Sequence, residues 1–597
     1  MIATYAAALA VGVASLVFGQ AALALSGIRR WSWLAPAVGL GLVCAICWAT
    51  VRLPGDGVVP AVLVPLLAVA AAIHLRGRLE GGDEALRQGL PVALGALLAA
   101  SLPFAVEGHF GILGTGFNPD MSQHLLATDR LAEGHGSQLL SQGYPLGPHA
   151  VVVALNKGLG IGIVQGFSGL TVAAAVLAPL TALAAFAGQP TWRRTAAALV
   201  VGLAYLVASY YAQGAFKETI QALFVLAFVL ALRESGRAWR DLPLRFVPAA
   251  LIAIGAVYVY SFPGLIWLAA IAVIWATGEY VSPAGGAAGG DPHSGGRGAP
   301  EHMGEPAATG PAGRRALSLA LIVFLVGALP ELGRMIDFKQ FETFDPSGPG
   351  LGNLFGQISP FTALGIWPSG DFRVAAGDGA VPAFVYYLGA AFASVLLLLG
   401  MRRAWRGGER AVLAGLASVV AIYAAARLGG TAYTSAKALE IAAPLVTLTI
   451  LLPRIRGISS VLYLLAAGAC SLLAFANAPV GPTSYSPALT GLRPLLAGGS
   501  TLVLAPDRLL EEEQGVRYIA WELRGGRVCI EPESAAGGTP PTGIRFFVTD
   551  ATHAHVPFDR LIRIRTAGPY VVWERRGVLG GPSPCPLIAV RQARQGP

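Results

Sequence analysis

The sequence predicts an all-α polytopic membrane protein with a small α/β domain at its C-terminal end. Three observations carry that expectation. Of the 597 residues, 54% are hydrophobic and 13% are charged, where a soluble chain carries roughly 25% charged residues. The mean hydropathy is +0.61. The apolar residues fall into runs close to the roughly 20 residues that cross a bilayer, with short basic clusters between them. A large soluble enzyme, a disordered scaffold and a disulfide-rich secreted protein are thereby excluded. The net charge of +9 is distributed between apolar runs rather than gathered on one face, so nucleic acid is not an expected partner.

On the length criterion we read about fourteen spans, at 2–26, 33–51, 59–75, 88–106, 163–188, 195–212, 219–232, 247–260, 263–280, 316–330, 381–400, 411–427, 439–453 and 457–477. The first lacks a basic leader and is followed by Arg29 and Arg30, which reads as an N-out anchor rather than a cleaved signal. One set of alternate loops holds twenty arginines, among them Arg76, Arg78, Arg193, Arg194, Arg402 and Arg403; the opposite set holds nine basic residues. The positive-inside rule makes the first set cytoplasmic. Loops 107–162 and 331–380 and the tail 478–597 are then extracytoplasmic. The stretch 282–313 is rich in Gly, Pro and Ala without apolar periodicity and reads as a flexible cytoplasmic linker.

The tail alternates β-rich apolar runs (500–504, 527–530, 544–548, 570–573 and 586–590) with a helical stretch at 508–523, the pattern of a small α/β domain. Cys529 and Cys585 both fall in it, where oxidation is permitted; sequence does not fix whether they are bonded. Cys44, Cys47 and Cys470 fall in spans and read as small buried residues. Tyr518, Trp521, Tyr570 and Trp573 stack on sugars or form the core of the tail.

No phosphate loop, dinucleotide fingerprint or zinc spacing is present. Polar, aromatic and turn-forming residues concentrate in the outer loops instead. The first of them contains Asn118-Pro119-Asp120, a helix start with Asn118 as N-cap and Pro119 at the first helical position. Asp120 then falls in the first turn, with His124 one turn on along the same face. A Tyr144-Pro145-Leu146-Gly147-Pro148-His149 turn follows. The bland alternatives are that Asp120 only complements the helix dipole and that His124 wets an interfacial helix.

The Asp120-x-x-x-His124 helix, the Tyr144–His149 turn, Tyr210–Glu218 (with Lys217 and Glu218), Tyr433–Leu439 (with Lys437) and the exported tail together resemble the polytopic GT-C glycosyltransferases of high-GC bacteria. The likeness covers about residues 88–477 plus the tail 478–597; the helices of 1–87 are an addition. It implies a GT-C-like fold, a polyprenyl-phosphate-linked sugar as donor, and a cell-envelope glycan or lipid as acceptor. It further implies Asp120 as general base of an inverting transfer and a place in the bacterial plasma membrane. Lys217, Glu218, Lys437, Tyr144 and His149 are the expected donor-phosphate and substrate contacts. Many such enzymes carry a second acidic residue beside the first, whereas the nearest here is Asp129. A divalent metal (Mg or Mn) held by Asp120 and His124 therefore stays an open alternative.

Chemistry leads to the same residues. Outside a bacterial membrane no nucleotide-sugar pool exists, so a transferase needs a donor delivered in the bilayer. Displacing a lipid phosphate takes a carboxylate to accept the acceptor proton and cations to stabilise the leaving phosphate. The chain has four lysines (Lys157, Lys217, Lys339 and Lys437) and all lie in the outer loops; the competing reading is that they anchor to lipid headgroups. Two other functions compete: a transporter or flippase for lipid-linked saccharides, and a non-catalytic subunit of an envelope-assembly complex. A transporter predicts ionisable residues near the midplane, paired across repeats. The spans show almost no charge and the chain no repeat.

The loop asymmetry generates the first prediction. A cysteine replacing Ser294 labels from the cytoplasm and one replacing Ser534 labels from outside, using membrane-impermeant maleimide on intact and opened cells. Labelling of both from one side contradicts the assigned orientation.

Overall fold

The structure is a computed structural model that describes residues 1–55, 57–115, 117–118, 120–134, 138–281, 311–340, 350–452, 457–481, 487–505, 513–524, 526–550, 556–577, 581 and 585. The apolar runs form helices. Among the described residues ten are long and apolar enough to cross a membrane, from Ile2–Leu25 to Ile458–Ala476. The bent pair Thr191–Gly202 and Tyr205–Ala212, at 53° to each other, brings the number to eleven if it is one span. The chain is a multi-pass membrane protein. Most of the linker 282–313, the strand at 586–590 and the start of the 508–523 helix lie outside the described residues.

The expected fourteen spans differ from this count in three places. The 33–51 run folds as Ala35–Val51, 17 residues long and short for a crossing. The 219–232 run folds as Phe216–Ser235, whose ends carry Lys217, Glu218, Arg233 and Glu234 and dilute its apolar middle. Runs 247–260 and 263–280 fold as one stretch, Val247–Val281, broken at Ser261, where φ is 60° and ψ is −154°. Drawn straight, 35 residues would separate the ends by about 50 Å. Instead the rings of Phe246 and Trp275 lie 5.7 Å apart. A Cβ added to Gly264 would stand 3.1 Å from the Ala256 carbonyl oxygen, eight residues back. The chain therefore reverses at Ser261–Pro263 into two antiparallel halves, and Gly264 eases the close return.

Phe216–Ser235 runs through the middle of the bundle and is buried along nearly its whole length. At its C-terminal end Arg233 pairs with Glu409 at 2.8 Å and Arg237 with Glu409 at 3.0 Å, and nearby Arg410 meets Glu279 at 3.2 Å. Its N-terminal end carries Lys217 and Glu218.

A second ionic cluster joins the first helices to the loops 107–162 and 331–380. Glu331, 5% exposed, accepts from the Trp48 indole at 2.7 Å and pairs with Arg52 at 3.0 Å and Arg334 at 3.2 Å. The two guanidinium groups each lie 4.8 Å from the Trp48 ring. Arg334 also donates to the carbonyls of Leu140 (3.1 Å) and Tyr144 (2.6 Å). The cluster thus fixes the turn that carries Tyr144.

Two short strands, β1 (Ile112–Leu113) and β2 (Val480–Gly481), pair antiparallel and tie the loop after Gly82–Glu107 to the start of the tail. The tail itself is a five-stranded sheet of β3 (Ser500–Ala505), β4 (Arg527–Pro532), β5 (Phe546–Asp550), β6 (Leu561–Ala567) and β7 (Tyr570–Arg575) in the order β4-β3-β5-β7-β6. The β3 strand is parallel to both neighbours, while β5–β7 and β7–β6 are antiparallel. The sheet has one strand the apolar runs do not announce: β6 is an edge strand whose outward positions are filled by Arg563, Arg565 and Thr566. Cys529 and Cys585 form a disulfide, Cα to Cα 5.2 Å; Cys44, Cys47 and Cys470 are buried thiols. The helix Glu513–Glu522 docks on the bundle: Tyr518 and Trp521 join its core, and Arg524 pairs with Asp129 at 3.2 Å. Tyr518 and Trp573 are core residues rather than sugar platforms, and Trp521 is buried with one edge on a cavity.

Removing one partner of a buried ionic cluster leaves uncompensated charge, at about 3–5 kcal/mol when fully buried. Arg52 keeps some access to water, so Glu331→Gln is expected near the lower bound, about 3 kcal/mol. Thermal unfolding in detergent checks this; a melting temperature within a degree of wild type would dismiss Glu331 as a hub.

Candidate functional site

The site starts from the turn after β1. Asn118 Oδ1 accepts from the backbone N–H of Asp120 at 3.0 Å, the local turn that short amide side chains favour. The helix that follows is Met121–Ala132 with Asp120 at its N-cap position. This corrects the expected start: Asn118 is not the N-cap, because its side chain closes a turn before the helix, and Pro119 lies outside the described residues. The Asp120 carboxylate does not cap the helix. It is half-buried and lines a cavity.

His124 does not wet a surface. Its ring is buried against Phe216 (5.0 Å) and Phe167 (6.5 Å), with Nδ1 3.1 Å from His149 Nε2. His149 is fully enclosed at the start of Gly147–Leu159. Burial holds its basicity down to about 3, because a charged imidazole would lose its hydration with no anion to replace it; it is a neutral partner for His124. The pair is a buried strut beneath the cavity, and the reading of His124 as a wet interfacial residue is overturned by apolar neighbours on several sides.

Lys217 and Glu218 come from the turn Gln213–Ala215 that opens Phe216–Ser235. Gly214, at φ +70°, passes so close to the β1 loop that a Cβ would stand 2.6 Å from the Leu113 carbonyl oxygen. That approach brings Lys217 to the loop that carries Asp120 and Tyr144. Its ammonium donates to the Tyr144 hydroxyl, lies 3.8 Å from the Tyr144 ring centre and is within electrostatic reach of Asp120. Glu218 Oε1 pairs with Lys437 at 2.9 Å and faces the Tyr260 hydroxyl at 3.4 Å. Lys437 comes from Ala432–Leu451, started by a Thr431–Thr434 capping box, and lies 4.2 Å from the Tyr433 ring centre.

One cavity is lined by Asp120, His124, Tyr144, Lys217, Glu218 and Lys437, together with Asn118, Tyr210, Gln213 and Tyr433. Six of the seven site residues picked from sequence thus meet around one space, and His149 stands one layer behind. Neither site lysine is a headgroup anchor: Lys217 is 9% exposed and Lys437 is ion-paired. Their roles divide, since the charge on Lys437 is matched by Glu218 while Lys217 faces Tyr144 and Asp120.

The loop before Ala383–Arg406 adds residues to the site that no sequence pattern marked. Asn353 donates to the Phe117 carbonyl at 2.9 Å and to Gln213. Arg373, gripped by Asp371 at 2.7 Å, lies 4.1 Å from the Phe117 ring centre and 4.7 Å from that of Phe355. These contacts press the Phe117–Asn118 turn against the site. Glu440, one turn beyond Lys437, is fully buried, and its carboxylate oxygens have no hydrogen-bond partner among the described residues. The one available signal was its position inside an apolar run.

A metal held by Asp120 and His124 does not fit this geometry. Among the described residues no three His, Cys, Asp or Glu side chains gather as ligands, which leaves Asp120 and His124 short of a ligand set. No step is derived through a metal.

No family model matches the sequence, and no curated protein matches it.

The Glu218–Lys437 pair gives a prediction independent of any activity. Glu218→Gln or Lys437→Met alone lowers stability by about 3 kcal/mol, and the double variant recovers more than half of the summed loss. Additive losses in thermal unfolding would show that the two side chains do not act as a pair.

Proposed function

We propose that the chain is an integral membrane glycosyltransferase of GT-C type, moving a sugar from a polyprenyl-phosphate donor to a cell-envelope glycan or lipid acceptor. The observation that carries this reading is the meeting of one carboxylate, Asp120, and one buried ammonium, Lys217, across a single cavity. An acceptor hydroxyl oxygen attacks the anomeric carbon and the bond from that carbon to the phosphate oxygen breaks. The bonding pair leaves on the phosphate, and the hydroxyl proton passes to Asp120. Lys217 stabilises the charge growing on the phosphate, and the Tyr144 hydroxyl holds the ammonium in position. Glu218 fixes Lys437, and His149 supports the helix of Asp120 through His124. Attack opposite the leaving group inverts the anomeric centre.

The reading places the protein in a bacterial plasma membrane, with the N-terminus, the site and the tail on the extracytoplasmic side and membrane lipid delivering the donor. The basic clusters at the end of Phe216–Ser235 opposite the site support that orientation. A half-buried Asp120 lining a cavity supports an enzyme over a non-catalytic scaffold. Glu440 favours the second reading, a carrier of lipid-linked saccharides, because ionisable residues inside spans often mark transport paths.

Asp120→Asn keeps the shape and removes proton acceptance, so sugar transfer should fall about 10²–10⁴-fold with expression near wild type. Lys217→Met should also lower turnover strongly, and Lys217→Arg partially, since guanidinium is a fork rather than a point charge. Transfer from a radiolabelled polyprenyl-phosphate sugar, with mass spectrometry of envelope glycans in a deletion strain, measures both. Wild-type rates in Asp120→Asn would remove Asp120 as the base.

A further inference from the structure

A second cavity lies at the other end of the helix that begins beside Asp120. Three separate parts of the chain build it. Asp129 and Glu133 come from the C-terminal end of Met121–Ala132. Asn156, Lys157 and Gln165 come from the helix pair around Gly162, and Trp521 and Arg524 come from the tail. Its volume is about 290 Å³, at the lower edge of the range for ligand pockets. The docked tail supplies one of its walls. Asp129 is nine residues from Asp120 on the same helix, about 14 Å at 1.5 Å per residue.

The chemistry of its walls narrows the ligand. Two carboxylates and two cations leave the cavity without net charge. Arg524 is already held: its Nε pairs with Asp129 at 3.2 Å, an Nη donates to the Trp521 carbonyl at 3.0 Å, and the guanidinium lies 3.7 Å from the Trp521 ring centre. Asn156 donates to the Ile161 carbonyl at 2.9 Å and so is fixed in place. An anion would meet Asp129 and Glu133, and a cation would meet Lys157. A ligand that carries many hydroxyls and no charge matches every wall, since each hydroxyl donates and accepts. Ile163, Val164 and Ala132 supply apolar surface for its carbon-bound hydrogens. Three of the four lysines of the chain line this cavity or the first one.

We infer that the cavity between the tail helix and the Asp120 helix binds a neutral saccharide segment of the acceptor, at the opposite end of that helix from Asp120. The docked tail completes an acceptor-binding subsite, and it sets which sugar units the chain recognises beyond the one that reacts. The inference rests on the transferase reading for the word acceptor; the saccharide binding stands on the cavity alone.

The test uses the full-length protein in detergent and a panel of neutral tetrasaccharides of glucose, mannose, galactose and arabinose, with the matching uronic-acid tetrasaccharides as charged controls. Binding is measured by isothermal calorimetry and saturation-transfer NMR on wild type, Asp120→Asn, and the double variant Lys157→Met with Gln165→Ala. Lys157 is exposed and Gln165 half-buried, and Glu133→Gln serves as a second, milder variant. The expected result is that at least one neutral tetrasaccharide binds, that the double variant weakens it tenfold or more and Glu133→Gln several-fold, and that Asp120→Asn binds as wild type. In transfer assays the double variant raises the acceptor KM tenfold with kcat and the donor KM unchanged. Binding unaltered in the double variant, preference for the uronic-acid series, or no neutral tetrasaccharide bound by wild type would each overturn the inference. Should Asp120→Asn transfer sugar normally while the double variant loses binding, the transferase assignment of Asp120 fails and the saccharide cavity remains.

Discussion

A carboxylate removed from water must find its countercharge inside the bundle, and Glu331 is where that requirement organises this protein. It sits between Trp48 and Arg52 of the N-terminal helices and Arg334 of the loop that follows Pro311–Ala328. Arg334 passes the constraint on to the Leu140 and Tyr144 carbonyls, and Tyr144 in turn receives Lys217. An unbroken line of polar contacts therefore runs from the second helix of the chain to the ammonium in the cavity. The N-terminal helices are thus part of the support of the site, whatever they add besides.

The site itself follows a division between matched and directed charge. Glu218 and Lys437 neutralise each other at 2.9 Å and form a wall. Asp120 and Lys217 face the same space from different elements. The wall keeps those elements in register, because Glu218 is the neighbour of Lys217 along the chain and Lys437 is on another helix. Beneath them His124 contacts His149, whose burial keeps it neutral. Above them Arg373 and Asn353 fasten the second loop over the Phe117–Asn118 turn.

Much of this was legible in the sequence because the signals were local. Apolar runs mark helices by length alone, and the polar residues of the site stood out because the surrounding chain is so poor in charge. Asp120, Lys217 and Lys437 were visible for that reason. Three kinds of feature were not legible. Glu331 became meaningful only through Trp48, 283 positions away, and no local pattern marks such a contact. Whether 247–260 and 263–280 stack or reverse depended on the backbone of a single residue, Ser261. The role of His124 turned on what surrounds it: periodicity placed it on the face of Asp120, while packing against Phe167, Phe216 and His149 decided that it is buried. The edge strand β6 was hidden because its outward positions are polar, which is what an edge needs to resist pairing with other chains.

The β1–β2 ladder has a consequence for how the protein is made. His109 Nε2 is 2.8 Å from the Val480 carbonyl oxygen across 371 positions of sequence, and the strands beside them pair only when both are present. At synthesis rates of about 5–20 residues per second, the Ile112–Leu113 edge emerges roughly 20–75 seconds before its partner. Through that interval every span from Ile163–Ala185 to Ile458–Ala476 is being laid down while the first loop still lacks its closing strand. Completion of the site thus belongs to the last stage of biogenesis, after the final helix is in place and the tail has been delivered, and a stalled or truncated chain is a set of inserted helices with an open loop.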